Sequence, residues 1–145
     1  MKNSSIKIKA TFLNLLMFNG NKKSAEKLFL QSSKKIQKSY SKKKFSDLIK
    51  IGLINSSPIL FLKSIKRKRK QTIKFPFLLN NKLRTFYGFN FLLKNCFSKK
   101  SQPFYVKLET ELIASCKNLS QSVKTKKDLH KEAVIKKKFA NYRWF

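Results

Sequence analysis

The sequence predicts a mainly α-helical protein: a single helical domain of about six helices with one protruding basic β-hairpin. Apolar residues recur at helical spacing on both sides of a central segment, residues 59–79, whose composition is typical of strands around a basic turn. Hydrophobic residues form 41% of the chain of 145 residues, which is enough for one core. We therefore expect one domain spanning residues 1–145.

The net charge restricts the classes of function. Lysine and arginine number 35 against 6 aspartate and glutamate residues, so the formal charge is +29. A compact body with that charge repels itself, which predicts a polyanionic partner. One histidine and six carboxylates offer little for acid and base chemistry, so no catalytic residue, enzyme activity or cofactor is predicted. Cys96 and Cys116 lack neighbours at metal-ligand spacing, so no metal site is predicted either.

The kind of basic residue indicates a genetic origin. The chain has 31 lysines but only 4 arginines, and residue types with AT-rich codons are abundant. Arginine grips phosphate better than lysine does, so this bias indicates an AT-rich, organellar genome rather than a binding requirement. The start of the chain, residues 1–10, is basic and free of acids, as an import presequence would be. No apolar stretch approaches the length of a membrane span.

The first helices follow from apolar spacing. An apolar run at residues 12–17 stops at Asn19 and Gly20, which is a helix end, and a second helix is predicted to begin near Lys22. One face of this second helix is predicted to pack: Ala25, Leu28, Phe29, Ser32 and Ile36. Another face carries a row of lysines: Lys23, Lys27, Lys34 and Lys38. Such a row is usually just a solvated face, but the net charge favours a polyanion-binding surface.

A third helix and a hairpin are predicted next. Apolar residues between Phe45 and Leu53 follow the helical spacing and end before a break at residues 55–58. The β-hairpin at 59–79 has five adjacent basic residues, 66–70, at its tip, and Pro76 fits an edge strand. Five neighbouring like charges have no packing role, because only water or an external anion can stabilise them.

The second half is predicted to be helical and to begin with a central helix. Residues 83–97 are apolar nearly all round and predict a central buried helix, whose aromatic cluster fits the core better than a base-stacking platform. Pro103 suits the first turn of another helix. Residues 124–138 are intensely basic and lead to a closing segment that contains Trp144. That tryptophan fits two roles equally: stacking on a base, or capping the core beside Phe139.

Three segments together resemble the small-subunit ribosomal protein seven family. The first is FLNLLMFNGNKKSAEK at 12–27, and the second is the break at 55–58 with a basic hairpin closing at Phe75 and Pro76. The third and most specific is VKTKKDLHKEAVIKKKFANYRW at 123–144. The resemblance implies a mostly helical domain with one protruding hairpin, which agrees with the elements predicted above.

The resemblance also implies a function and partners. It implies a structural protein that binds the 3′ major domain of small-subunit rRNA, organises head assembly, and lies near the exit-site tRNA and the mRNA path. Other head and platform proteins are the implied protein partners, without a membrane and without a homo-oligomer. By resemblance the RNA-binding residues include Lys22, Lys23, Arg84, Lys124, Lys126, Lys127, His130, Lys131, Arg143 and Trp144, with Tyr142 in the same closing motif. The lysine row and the hairpin tip add Lys27, Lys34, Lys66, Arg67, Lys68, Arg69 and Lys70.

Several departures from the family pattern matter. The hairpin tip replaces the family's glycine pair with basic residues, the basic N-terminal arm is shortened to residues 1–11, and the chain stops at Phe145 where relatives add a helix. Similarity from Phe12 onward leaves little room for a presequence, so we expect synthesis inside the organelle. We expect a mitochondrial ribosome, with a plastid-type organelle as the alternative.

Two other functions remain open at this point. A basic, arm-like hairpin would also suit a non-ribosomal, DNA-binding architectural protein. A cationic protein of the membrane surface is disfavoured, because the charge is spread along the whole chain rather than along one helix face.

Overall fold

The structure, a computed structural model, describes the backbone of residues 2–41, 44–66, 72–98 and 102–144, and the side chains of those ranges between residues 8 and 141. The described part is mainly α-helical, as predicted, with six α-helices and a two-stranded antiparallel hairpin. The elements in chain order are α1 (Lys2–Leu16), α2 (Lys22–Ser39), α3 (Phe45–Ser56), β1 (Leu60–Lys66), β2 (Thr72–Leu78), α4 (Asn81–Ser98), α5 (Phe104–Cys116), α6 (Gln121–Ile135) and a 3₁₀ helix (Lys137–Trp144).

The start of the chain differs from the prediction. Helix α1 begins at Lys2, so the segment expected to form a basic arm is helical and continuous with the apolar run. The turn between α1 and α2 is as predicted: Asn19 and Gly20 adopt left-handed φ angles of 48° and 74°. The side chain of Asn21 then caps α2 by accepting a hydrogen bond from the Ser24 backbone N–H.

The core lies between five of the helices. Its largest fully buried side chains are Phe12, Phe89, Ile36, Leu92, Leu108 and Leu112. Helix α5 packs against α2, α3, α4 and α6, so it occupies the centre of the bundle. The prediction that residues 83–97 form a helix is confirmed, but the prediction that this helix is buried all round is wrong. Only one face of α4 is buried, while Leu83, Phe86 and Phe97 remain about 40% exposed.

A close helix contact fixes where the hairpin leaves the bundle. A Cβ atom at Gly88 of α4 would lie 3.2 Å from the Ser57 Cα atom, directly after α3. Glycine is therefore required for this approach, and the chain from α3 into β1 runs against α4. Phe61 of β1 then stacks on Tyr87 of α4, with 4.3 Å between ring centroids.

The predicted hairpin is confirmed in its two strands. Leu60 pairs with Leu78 at the base and Lys66 with Thr72 at the far end, in antiparallel register. Pro76 lies within β2 of this two-stranded sheet, where both strands are edges. Helix α6 packs against β1 and the 3₁₀ helix packs against β2. Residues 67–71, which contain most of the predicted basic tip, lie outside the described residues.

Candidate nucleic-acid interface

Few basic side chains of the described residues have an acidic partner. Ion pairs join Lys22 to Glu26, Lys35 to Glu109, Lys50 to Asp47, and both Lys74 and Lys136 to Glu132. A further carboxylate, Glu111, is buried and accepts hydrogen bonds from the backbone N–H and hydroxyl of Ser122. Five of the six carboxylates of the chain are therefore engaged within the fold, and most of the positive charge on the described surface is left uncompensated.

The lysine face of α2, defined as Lys23, Lys27, Lys34 and Lys38, is exposed along its whole length. The opposite side of the helix is buried as predicted, through Ala25, Phe29, Ser32 and Ile36. None of the four lysines makes an ion pair with a described residue. This face is therefore a row of hydrated charges that plays no part in holding the fold together.

A second group of basic residues lies where the hairpin meets the bundle. The Lys126 ammonium of α6 donates a hydrogen bond to the Asn55 backbone oxygen at 3.0 Å, near the end of α3. The Asn55 side chain in turn donates to the backbone oxygen of Ser115 at 3.0 Å. Lys126 thus helps to fix the chain that enters the hairpin, in addition to carrying charge.

His130 lies one turn further along α6. Its Nε2 atom accepts a hydrogen bond from the Ile59 backbone N–H at 3.1 Å, immediately before β1. Accepting through Nε2 requires the neutral ring with the proton on Nδ1. Burial, and then the charge of Lys126, lower the pKa of His130 below its ordinary value of 6.5. The residue is therefore held neutral and holds the base of the hairpin.

Arg84 completes this group, which we call the basic junction: Arg84, Lys126 and His130. Burial, and then the nearby charge of Arg84, lower the pKa of Lys126 below its ordinary value. The Nε atom of Arg84 is buried and has no hydrogen-bond partner among the described residues. Two cations and a histidine are thus held together without a carboxylate between them. A bound anion would relieve this repulsion.

The remaining predicted residues of α6 form an exposed side. Lys124, Lys127 and Lys131 are exposed and lie at steps of three and four, so they share one side of the helix. Lys66 is exposed at the far end of β1. The structure brings Arg84, Lys126 and His130 together at the junction, whereas Lys22, Lys23, Lys27 and Lys34 lie apart from them on α2.

Some predicted residues lie outside the described residues. These are Arg67, Lys68, Arg69 and Lys70 of the hairpin tip. The side chains of Tyr142, Arg143 and Trp144 are also outside, so the choice between base stacking and core capping for Trp144 stays a prediction.

The sequence prediction missed two features of this surface. Lys63 of β1 is exposed, and its place in a half-exposed strand was the available signal. The structural role of Asn55 had no signal in sequence, because its partners lie 60 or more residues away. Among the described residues, no group of three metal-binding side chains occurs and no helix is long and apolar enough to cross a bilayer.

Comparisons with known proteins identify the family. A family model described as ribosomal protein S7p/S5e matches residues 2–137. The small ribosomal subunit protein uS7 of Koribacter versatilis is 27% identical over 133 residues, covering 92% of this chain and 84% of the relative. The uS7 protein of Pseudothermotoga lettingae is 27% identical over 135 residues, covering 93% and 86%.

A relative with a different printed name, the small ribosomal subunit protein uS7c of Euglena gracilis, is 28% identical over 133 residues, covering 91% and 83%. The resemblance predicted from the sequence is thereby confirmed, and proteins of this kind are structural rather than enzymatic. The chain therefore belongs to the ribosomal protein S7p/S5e family and is a structural constituent of the small ribosomal subunit.

Proposed function

We propose that the chain binds the 3′ major domain of small-subunit rRNA, organises assembly of the subunit head, and lies near the exit-site tRNA and the mRNA path. The observation that carries this proposal is the uncompensated positive charge on a ribosomal fold. The lysine face of α2 and the basic junction lie on different elements, and neither contains an ion-paired carboxylate among the described residues. Two such surfaces on one rigid core suit an RNA that folds around the protein.

The hairpin supplies a third surface in this proposal. Its base is fixed by the Lys126 and His130 hydrogen bonds, and an ion pair of 3.3 Å between Lys74 of β2 and Glu132 of α6 joins the outer half of the hairpin to the bundle. The five adjacent basic residues of the tip, 66–70, are proposed to bind RNA near the tRNA and mRNA path. Head and platform proteins are the proposed protein partners, and the chain acts as a monomer.

The ribosome is proposed to be that of an organelle. The lysine-rich, arginine-poor composition supports an AT-rich organellar gene, and the uS7c relative in Euglena gracilis supports an organellar type. We propose the mitochondrion, with a plastid-type organelle as the alternative. Fractionation of the source cells, followed by detection of the chain in mitochondrial or plastid small subunits, distinguishes the two.

The RNA partner is tested by binding of the full chain to transcripts. Transcripts of the 3′ major domain and of the 5′ domain, and a duplex DNA of equal length, are compared at the same salt concentration. We expect the 3′ major domain to bind most tightly, and crosslinks in purified small subunits to fall within it. Equal affinity for both RNA domains, or tighter binding of the DNA as an architectural protein would show, would contradict the proposal.

A further inference from the structure

Three phenylalanine rings form a row on the surface, which we call the phenylalanine ladder: Phe18, Phe97 and Phe104. The ring of Phe18 meets that of Phe97 at 83°, with 5.4 Å between centroids. Phe97 stacks on Phe104 with 5.2 Å between centroids. Phe18 is 64% exposed and Phe97 is 44% exposed, so the outer end of the ladder faces solvent. Exposed clusters of large apolar side chains usually mark a binding site.

The backbone holds Phe18 in this outward position. The residue follows the last turn of α1, and its backbone oxygen accepts a hydrogen bond from the Asn21 N–H at 3.0 Å. The left-handed Asn19 and Gly20 between them close the turn. Phe97 lies in the last turn of α4 and Phe104 begins α5, so three elements build the ladder. The exposed ring is therefore part of a fixed arrangement and is not on a loose loop.

The charge around the ladder favours a nucleotide over an apolar protein segment. Lys23 lies five residues after Phe18 in the first turn of α2, and Lys94 lies one helical turn before Phe97 on α4. Both lysines are exposed, and neither makes an ion pair with a described residue. Aromatic rings stack on bases of any sequence, and flanking cations meet the phosphates on either side.

We propose that Phe18 is a stacking platform for one unpaired base of the bound RNA, supported by Phe97 and Phe104, with Lys23 and Lys94 facing the flanking phosphates. The proposal rests on the proposed function, since it requires that the chain bind RNA. It adds a contact that depends on an aromatic face rather than on charge. The exposed aromatic rings at this end of α4 thus have a different role from the aromatic rings that fill the core.

The test compares variants of Phe18 in the full chain, with the 3′ major domain transcript as the probe. Phe18→Leu keeps apolar bulk without an aromatic face, and Phe18→Trp keeps the face. We expect Phe18→Leu to bind about tenfold more weakly and Phe18→Trp to bind as the original chain does. The dependence of affinity on salt should be the same in all three proteins, because no phosphate contact is removed. Phe18 is largely exposed, so losing its ring contact with Phe97 should lower the unfolding temperature by no more than about 2–4 °C.

Chemical probing of the transcript gives a second readout. One base should be protected in complexes of the original chain and of Phe18→Trp, and reactive in the complex of Phe18→Leu. Equal affinity and equal protection for all three proteins would overturn the stacking site while leaving RNA binding intact. Equal affinity combined with crosslinks from Phe18 to another subunit protein would assign the ladder to a protein partner and overturn the proposal. Failure of the original chain to bind the transcript would overturn the proposed function, and the stacking site with it.

Discussion

The two basic surfaces of this protein are built in different ways. The lysines of the α2 face project into solvent from a helix whose other side is buried, and their ammonium groups make no ion pair with a described residue. At the basic junction, Lys126 and His130 bond to the backbone that enters the hairpin. Positive charge on α2 is therefore free to serve binding alone, whereas at the junction it is also part of the folded structure.

The two surfaces differ in how much their positive charge lowers the stability of the fold. Exposed lysines cost the fold little, because water and salt screen their repulsion. At the junction, partial burial and the neighbouring Arg84 lower the pKa of Lys126, so the fold bears a cost for keeping cations there. Such a cost is typical of a site selected for binding, since stability alone would favour neutral residues.

The largest expected effect comes from the α2 face. Replacing Lys23, Lys27, Lys34 and Lys38 together with glutamine removes up to four phosphate contacts. We expect rRNA affinity to fall about a hundredfold at 0.1 M salt, and the slope of log affinity against log salt to flatten by about three. The free energy of unfolding should stay within about 0.5 kcal/mol of the original, as for other surface changes. Salt titrations of binding and denaturant unfolding measure the two quantities.

A matched control uses four lysines that already have carboxylate partners and were not assigned to RNA binding: Lys35, Lys50, Lys74 and Lys136. Replacing them with glutamine changes the net charge by the same amount. We expect a clearly smaller loss of affinity, because these ammonium groups are engaged within the protein. Equal losses in the two variants would show that only net charge matters, and the α2 face would have no special role.

A smaller effect on RNA binding is expected at the basic junction, together with a gain in stability. Arg84→Met should weaken rRNA binding about tenfold and reduce the salt slope by about one. The same change removes a buried Nε without a partner and a charge that disfavours protonated Lys126. The free energy of unfolding should therefore rise by about 1 kcal/mol. The control Arg84→Lys also removes the partnerless Nε but keeps the charge, so it should be stabilised less than Arg84→Met. A stability loss in Arg84→Met would contradict the cost assigned to the junction.

The smallest effect concerns pH. Because the folded pKa of His130 is lowered, the unfolded chain takes up a proton as the pH falls below about 6.5 while the folded chain stays neutral. The contribution of His130 to the free energy of unfolding is therefore fully present above that pH and is lost as the pH falls below it. The loss should not exceed the ~1 kcal/mol of one hydrogen bond, or about 2–4 °C in unfolding temperature between pH 7.5 and 5.5.

The variant His130→Gln isolates this contribution, since glutamine can accept the Ile59 hydrogen bond but does not titrate. It should remove the pH dependence in that window. The lowered pKa of Glu132, caused first by its hydrogen bond to Lys136 and then by that to Lys74, affects stability only below about pH 4.5. An unchanged pH dependence in His130→Gln would show that His130 does not hold the hairpin base.

The helices and the hairpin could be predicted because their signals are local. The apolar face of α2 and the strand-like composition of residues 59–79 each follow from a few neighbouring residues, and both predictions are confirmed. The central helix was misidentified, because an apolar composition shows that a helix contacts the core but not how many helices cover it. Helix α5, with buried Leu108 and Leu112, occupies the position that residues 83–97 were expected to hold.

Prediction of the candidate site has the same limit: local spacing shows which basic residues are exposed but not which of them meet after folding. The exposure of Lys23, Lys27 and Lys34 followed from helical spacing. The junction did not, since Arg84, Lys126 and Asn55 come from three helices and meet only after folding. The resemblance placed Lys126 and His130 among RNA-binding residues without indicating that both bond to the protein's own backbone.

The hairpin has a consequence for the protein before it reaches RNA. A two-stranded sheet leaves backbone groups open on both edges, where another chain could add a strand and begin aggregation. Lys63, Lys66 and Lys74 lie on these strands, and Pro76 removes one of the donors. A second copy approaching such an edge meets the like charge of these three lysines. The basic residues that attract a polyanion thus keep newly made copies of the chain apart until the polyanion binds.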